Sequence, residues 1–291
     1  MLNRVTLPEN FVQEPSAYIC PICNDPLQLL PTAKTYRCPR QHSFDVAKEG
    51  YLNLLPVQHK HSKEPGDNKA MISSRRAFLE AGFYQPLADA LAMLINANAT
   101  LAEPVKVLDL GCGEGYYSRT LARHWRFPKP LLINGLDIAK VAVAAAAKKQ
   151  PEARFVVASA NRLPYPAAYF DFITRVFAPS DAHELMRVLK PSGLLLLVTP
   201  GPRHLWQLKT YIYKDVQEHP AESPIPQGFQ TVTSQAVSYS ITPNAEQRMA
   251  LLQMTPFAWQ ANEAIHLAIS QAEDFTIDVD FVLTVARALT P

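Results

Sequence analysis

Glycine is scarce in this chain, with 10 among 291 residues, and cysteine is rarer, with four. So little glycine excludes collagen-like and flexible-linker compositions. No apolar run reaches the ~18 residues that a membrane-crossing helix needs. The opening twenty residues carry Asn3, Arg4, Glu9, Asn10, Gln13 and Glu14 and lack the apolar stretch of a secretory leader. A soluble, cytoplasmic protein with no membrane partner is the expectation. Net charge is nearly absent too: 28 basic and 26 acidic side chains leave +2, which excludes a histone-like polycation but permits a local basic groove. Charged residues make up 19% and hydrophobic residues 48%, a balance that supplies a sizeable core and is opposite to that of disorder. The length suits one large domain or two smaller ones at ~100–200 residues each. Proline, at 25, is plentiful and marks many stiff loop boundaries.

The cysteines are unevenly spread. Cys20, Cys23 and Cys38 fall in the first forty residues, and Cys112 stands far from them. Cys20-Pro-Ile-Cys23 and Cys38-Pro-Arg-Gln-His42 give the spacing Cys-x2-Cys-x14-Cys-x3-His. Zinc takes four tetrahedral nitrogen or sulfur ligands, and two short knuckles supply them. A closed Cys3His site would fold the segment without doing chemistry. The competing readings are a redox Cys-x2-Cys pair or buried thiols, but Cys20 precedes any βαβ unit, and a third cysteine and a histidine stand at ligand spacing. His59 and His61 are alternatives to His42 that fit a knuckle poorly.

Three textures divide the chain. Residues 1–56 form an N-terminal extension and zinc-binding domain, 57–68 a polar linker, and 69–291 a region of alternating helical and strand-like segments. Helical spacing covers Met71 to Phe83, and Pro86 suits the first turn of the next helix. Strands are expected at Val105–Leu110, Leu131–Leu136, Arg154–Ala158, Phe170–Thr174 and Leu194–Val198. Helices are expected at Tyr116–Trp125, Ala139–Lys149 and Ala182–Leu189. The tail adds a Thr/Val/Ser/Tyr-rich stretch at Phe229–Thr242, helical stretches around Ala245–Leu252 and Ala261–Ile269, and a last strand-like segment at Phe275–Leu289. The pattern is that of an α/β, Rossmann-like fold: a mostly parallel sheet with helices on both faces.

Val107 to Gly115 reads Val-Leu-Asp-Leu-Gly-Cys-Gly-Glu-Gly, a glycine-rich turn from a strand into a helix. Gly111, Gly113 and Gly115 let a ligand approach the backbone. Asp109 and Glu114 would repel a pyrophosphate. A ligand bearing an ammonium and a sulfonium is favoured instead, which points to S-adenosylmethionine over a dinucleotide. Asp137, at the end of the second strand with Ile138 beside it, can accept hydrogen bonds from both ribose hydroxyls. Ala160 and Asn161, after the third strand, can read an adenine edge. The bland reading is that Asp109 and Asp137 only cap the following helices. The ordered set on successive strand ends argues against it.

With these residues in view, the sequence resembles the class I S-adenosylmethionine-dependent methyltransferases. More narrowly it resembles the bacterial 23S rRNA (guanine-N1)-methyltransferases that modify hairpin 35. The likeness spans nearly the whole chain, from Cys20 to the last strand-like segment. It is carried by the Cys20/Cys23/Cys38/His42 finger, the stretch Phe44-Asp45-Val46-Ala47-Lys48-Glu49-Gly50-Tyr51-Leu52-Asn53-Leu54-Leu55-Pro56, and Gly66-Asp67. Arg75-Arg76-Ala77-Phe78-Leu79, Gly82-Phe83-Tyr84-Gln85-Pro86-Leu87, the Asp109–Tyr117 loop and Thr199-Pro200-Gly201-Pro202-Arg203-His204-Leu205 carry it further. The resemblance implies a zinc ribbon that helps to recognise RNA, a catalytic domain using S-adenosylmethionine, and a homodimer framing an RNA-sized cleft. It places Tyr84 and His204 at the cofactor, with Asp109, Gly111, Cys112, Gly113, Glu114, Gly115, Asp137, Ile138, Ala160 and Asn161.

The substrate readings stay open on several residues. His59, Lys60, His61, Lys63, Lys69, Arg75 and Arg76, with Arg37, Arg40 and Lys48, suit a phosphate track or, equally, a solvated linker. Pyrimidine C5 methylation needs a free cysteine nucleophile, and three cysteines are committed to zinc. Adenine-amine methylation typically uses an Asn-Pro-Pro-aromatic turn, where this chain has Arg175-Val176-Phe177-Ala178-Pro179. A ring nitrogen such as guanine N1 fits what remains. Its proton must leave, so Arg175 is a candidate for stabilising O6 and Asp181 for the base. A phosphate clamp or ion pair competes for Arg175, a solvent-facing helix start for His204, and plain packing for Tyr84, Phe177 and Pro179. Three alternatives follow: a relative acting on the neighbouring guanine and conferring macrolide resistance, a small-molecule methyltransferase with an incidental zinc module, and an RNA-binding factor without turnover.

Overall fold

The structure is a computed structural model that describes residues 17–30, 34–59, 66–99, 104–273 and 275–289. The first three strands, β1 (Gln28–Leu30), β2 (Thr35–Arg37) and β3 (Ser43–Asp45), make a small antiparallel sheet in sequence order. Next come β4 (Leu52–Asn53), α1 (Lys69–Glu80) and α2 (Gln85–Asn98). Asn68 caps α1 by accepting the Met71 N–H, and Pro86 starts α2, where a missing N–H costs nothing.

From there strands and helices alternate: β5 (Val105–Leu110), α3 (Tyr116–His124), β6 (Leu131–Asp137), α4 (Lys140–Lys149), β7 (Arg154–Val157), β8 (Phe170–Val176), α5 (Ala182–Val188) and β9 (Leu189–Pro200). After α6 (Trp206–Ile212) follow β10 (Phe229–Ile241), α7 (Ala245–Gln253), α8 (Glu263–Gln271) and β11 (Ile277–Ala288). The large sheet runs β10-β11-β9-β8-β5-β6-β7-β4. Its strands are parallel from β4 through β9, and β11 is antiparallel to both of its neighbours. Chain order reverses between β5 and β8, which opens a crevice at the strand ends where α/β ligands bind.

Apart from β1 to β4, of which only a zinc-bound segment was expected, helix α6 and two single 3-10 turns, at Val57–His59 and Pro256–Trp259, depart from the sequence expectation. Helix α6 lacks a helical signal because it is short, follows Gly201-Pro202-Arg203-His204, and starts after Leu205 in the left-handed region (φ +57°). The ribbon also does not hang on a tether. Strand β4 pairs with β7 in parallel, the Leu54 N–H donates to Val157 O, and the Ile19 N–H donates to Pro164 O. Leu27, Leu52 and Leu54 share one core with Leu108, Leu110 and Val156. Tyr51 and Leu55 pack with Cys112, Val143 and Phe155 behind the glycine turn. Of the linker, residues 60–65 lie outside the described ones. Gly66 sits against Ile138 and Ala139, where a Cβ would come within 3.0 Å of both side chains.

Candidate active site and metal centre

The ligand atoms of Cys20, Cys23, Cys38 and His42 all lie within 4.8 Å of one another. A tetrahedron with Zn–S of about 2.3 Å and Zn–N of about 2.0 Å has edges of roughly 3.5–3.8 Å. The pairs Cys23 Sγ–Cys38 Sγ at 3.6 Å, Cys20 Sγ–His42 Nδ1 at 3.6 Å and Cys38 Sγ–His42 Nδ1 at 3.3 Å match those edges. Both knuckles close through backbone bonds, Asn24 N–H to Cys20 O and Gln41 N–H to Cys38 O. Asn24 and Gln41 take the left-handed conformation that such tight turns require. His42 therefore completes a closed set of four ligands. Lys60, His61, Lys63 and the side chain of His59 lie outside the described residues.

At the glycine turn, Gly111, Gly113 and Gly115 all have positive φ (+75°, +53° and +73°). The Gly111 and Cys112 N–H groups donate to Leu136 O at 2.8 and 3.0 Å. A Cβ on Gly113 would meet nothing within 4 Å, so the tip of the turn faces open space in which a ligand can lie against the backbone. Asp109 is 3% exposed beneath the turn and accepts hydrogen bonds from Ser118 Oγ (2.6 Å) and Thr174 Oγ1 (3.2 Å). Burial pushes its carboxyl up to about 6, and the neighbouring Asp137 adds to the rise. Asp137 accepts the Gly113 N–H (2.9 Å) and the Ala139 N–H (2.8 Å), and burial raises its carboxyl too. It thus links the turn to the start of α4 while staying partly open to solvent. Cys112 is buried and its thiol is pushed far up, chiefly by burial, so it is no nucleophile.

Glu114 has two cationic partners. Arg76 grips it with both arms of the guanidinium, Nε at 2.6 Å, and Lys149 Nζ stands 3.5 Å away. This clasp binds α1 and α4 to the turn. It also changes the reading of the basic stretch: Arg76 is spent on Glu114, and Arg75 is paired with Asp67 and with Met254 O. Neither has its charge free to face a phosphate. Their appearance as a cationic run in sequence conceals acids contributed from elsewhere in the fold.

At the end of β8, Arg175 is half-buried and donates to Ser180 Oγ at 2.6 Å. Burial lowers its pKa, with no carboxylate opposing the shift. Asp181 caps α5, with Oδ1 accepting the Glu184 N–H at 3.0 Å. Phe177 has φ +52° and is 47% exposed, an unusual pairing of backbone strain with a presented aromatic ring. Its ring centroid lies 5.8 Å from that of His204. His204 is buried at 6% exposure, not turned to solvent, and its Nδ1 accepts the Asp280 N–H at 3.3 Å. Burial pushes its pKa down to about 3, so the ring is neutral and carries its proton on Nε2. Phe281 lies between His204 and Tyr84, at 4.7 Å and 4.9 Å. Tyr84 is buried edge-on against Phe78 as well. Asn161 and Ala160 follow β7, with the Asn161 N–H on Ser159 Oγ at 3.2 Å.

The fold thus gathers the glycine turn, Asp109, Asp137, Ile138, Arg175 and the Tyr84–Phe281–His204–Phe177 group at one end of the sheet. Ala160 and Asn161 occupy its β7 side. Asp109 and Asp137 beside an open glycine turn suit a ligand carrying positive charge, as S-adenosylmethionine does on its sulfonium and ammonium groups, whereas the charge of Glu114 is met by Arg76 and Lys149. Sequence reading missed Ser118 and Thr174, the hydroxyls that hold Asp109. A hydroxyl directly after the turn's aromatic pair and another inside β8 carry no local signal.

A family model described as "RlmA, N-terminal" matches residues 18–63, and one described as "Methyltransferase domain" matches residues 107–193. A protein of Bacillus subtilis (strain 168) named 23S rRNA (guanine-N(1)-)-methyltransferase YxjB is 29% identical over 279 residues, covering 92% of this chain and 96% of that one. A Micromonospora griseorubida protein bearing the same enzyme name is 37% identical over 204 residues, covering 65% and 67%. The 23S rRNA (guanine(748)-N(1))-methyltransferase of Streptomyces fradiae is 36% identical over 190 residues, covering 65% of each.

Proposed function

This chain belongs to the 23S rRNA (guanine-N1)-methyltransferase family, and from that premise we propose that it transfers the methyl group of S-adenosylmethionine to N1 of a guanine in hairpin 35 of 23S rRNA. The observation that carries this reading is the fusion of the zinc ribbon to the catalytic sheet through β4 and a shared core. RNA held by residues 1–56 is thereby kept in register with the pocket of residues 69–291. Chemistry at one ring nitrogen needs such fixed positioning.

S-adenosylmethionine supplies an electrophilic methyl group on a positively charged sulfur. Asp109, Gly111, Cys112, Gly113, Glu114 and Gly115 shape its cradle, Asp137 and Ile138 bind the ribose side, Ala160 and Asn161 the adenine, and Tyr84 and His204 close the methionyl end. The bound cofactor would supply its methyl group to N1, and this chain's part is to position that nitrogen and to take the proton it must lose. Arg175 stabilises the negative charge that reaches O6. Asp181 takes the proton on the carboxylate oxygen not engaged by Glu184. Phe177, presented by its strained backbone, stacks on the unpaired guanine.

No described helix is long and apolar enough to cross a membrane, and the site of action is the cytoplasm, where rRNA is made. The enzyme acts as a homodimer joined along the outer edge of β10, whose thirteen residues carry no charge to discourage pairing. Sedimentation should give twice the chain mass, and Ala236→Lys should halve it. The activity is tested by incubating the protein with labelled S-adenosylmethionine and unmodified 23S rRNA, then digesting to nucleosides. Label in 1-methylguanosine supports the proposal. Label in another nucleoside, or none in RNA, overturns it.

A further inference from the structure

Two arginine or lysine side chains are buried among the described residues, and they differ. Arg248 donates to Pro243 O and Ser270 O and lies over the Phe275 ring. Lys209, on α6, is 4% exposed, and its ammonium, the end of the side chain that solvent still reaches, has neither a hydrogen-bond partner nor a carboxylate among the described residues. A lysine with a buried stem places its ammonium where the tip meets water or an anion. Even partly exposed cations elsewhere meet a carboxylate: Arg76 meets Glu114, Lys149 meets Glu80 and Arg187 meets Glu184.

The neighbours of Lys209 are cationic in type. His204 and His219 both feel its charge, and each is held below its ordinary pKa with Lys209 contributing. His219 is brought there by the long connection between α6 and β10. Its N–H donates to Pro202 O (3.2 Å), and Ser223 Oγ accepts from Thr199 Oγ1 (3.0 Å). That connection therefore crosses the end of β9 beside the acceptor side of the pocket. Asp280, the acid nearest His204, is occupied by Ser238 Oγ and the Arg203 N–H, and it does not reach Lys209.

We infer that Lys209, with His219, is an anion site for a phosphate of the RNA next to the target guanosine. It would anchor the backbone of the extruded nucleotide while its base lies against Phe177. A phosphodiester supplies the missing counter-charge from the substrate itself, so the site is complete only in the complex. This inference rests on the RNA reading above.

The test uses full-length protein and a hairpin RNA oligonucleotide bearing the target guanosine. Lys209→Met keeps the volume and removes the charge. KM for RNA should rise about 10–100-fold, the worth of a charge-assisted hydrogen bond, with kcat changed less than about threefold and affinity for S-adenosylmethionine unaltered. The slope of log(1/KM) against log salt should shrink by about 0.7–0.9, one phosphate contact. Lys209→Arg should recover most of the loss. An uncharged methylphosphonate beside the target guanosine should weaken the wild type equally and leave Lys209→Met unaffected. The melting temperature of Lys209→Met should not fall, whereas a purely structural lysine would lower it. Normal methylation with an unchanged salt slope and KM in Lys209→Met overturns the inference alone. Failure of the wild type to methylate any RNA overturns the RNA reading and this inference with it.

Discussion

Gly111 and Ala178 meet so closely that a Cβ on Gly111 would overlap the Ala178 Cβ. One residue opens the glycine turn after β5, and the other follows Phe177 at the end of β8. The cofactor cradle and the loop that presents Phe177 to the substrate are therefore one packed unit. Gly111→Ala should fail twice, through the overlap and through φ +75°. We expect about 2–4 kcal/mol of lost stability and no detectable binding of S-adenosylmethionine by calorimetry. Binding within threefold of wild type would show that the two loops are not coupled.

Asp109 and His204 bend the acid side of the stability curve in opposite directions. Asp109 has its folded pKa raised to about 6, so the native state takes up a proton before the unfolded chain does. Its contribution grows as pH falls from about 6 to 4 and is lost as pH rises through 6. His204, lowered to about 3, stays neutral while the unfolded chain protonates, so its contribution is lost as pH falls below about 6.5. The two offset each other, each by roughly 2–3 kcal/mol over this window. Asp109→Asn should thus be more stable than wild type at pH 7.5, lose stability more steeply toward pH 4.5, and bind S-adenosylmethionine poorly at both. Urea midpoints at the two pH values check this. Parallel curves for variant and wild type would refute it.

The zinc ribbon shares its core with the sheet, so metal loss should not remain local. The purified protein should carry one zinc per chain. Cys38→Ser should lose the metal and several kcal/mol of stability, lowering the melting temperature of the whole chain in one transition. A separate, low-temperature ribbon transition above an unchanged main one would contradict the shared core.

Arg76 and Glu114 should show coupling in a double-mutant cycle of about 1 kcal/mol, since the arginine is well exposed and its worth correspondingly screened. Arg76→Ala should weaken cofactor binding through the loosened turn, yet leave the salt dependence of RNA binding as it was. A shallower salt slope would mean that the arginine reaches phosphate after all.

Much of this was legible beforehand. The strand and helix periods from Lys69 onward survive as elements because each buries an apolar face against the sheet. The zinc ligands follow from spacing alone, because a knuckle is local. What the sequence hid is what depends on distant partners. Arg75 and Arg76 read as a basic run until Asp67 and Glu114 are seen beside them. A solvent-facing helix start competes with a cofactor-side role for His204 until Phe281 and Asp280 are seen to enclose it. Strand β4 has two residues and no pattern of its own, and its pairing with β7 comes from the fold. Lys209 is an ordinary helical lysine until its burial and lack of a partner are visible.

The central claim is methylation of guanine N1 in hairpin 35, and primer extension across that hairpin tests it most directly. N1-methylguanine blocks base pairing and halts the polymerase at one nucleotide. The account predicts a stop in rRNA from cells carrying the gene, its loss on deletion, and its return with the intact gene but not with an Asp109→Ala copy. An identical stop pattern with and without the gene would contradict it.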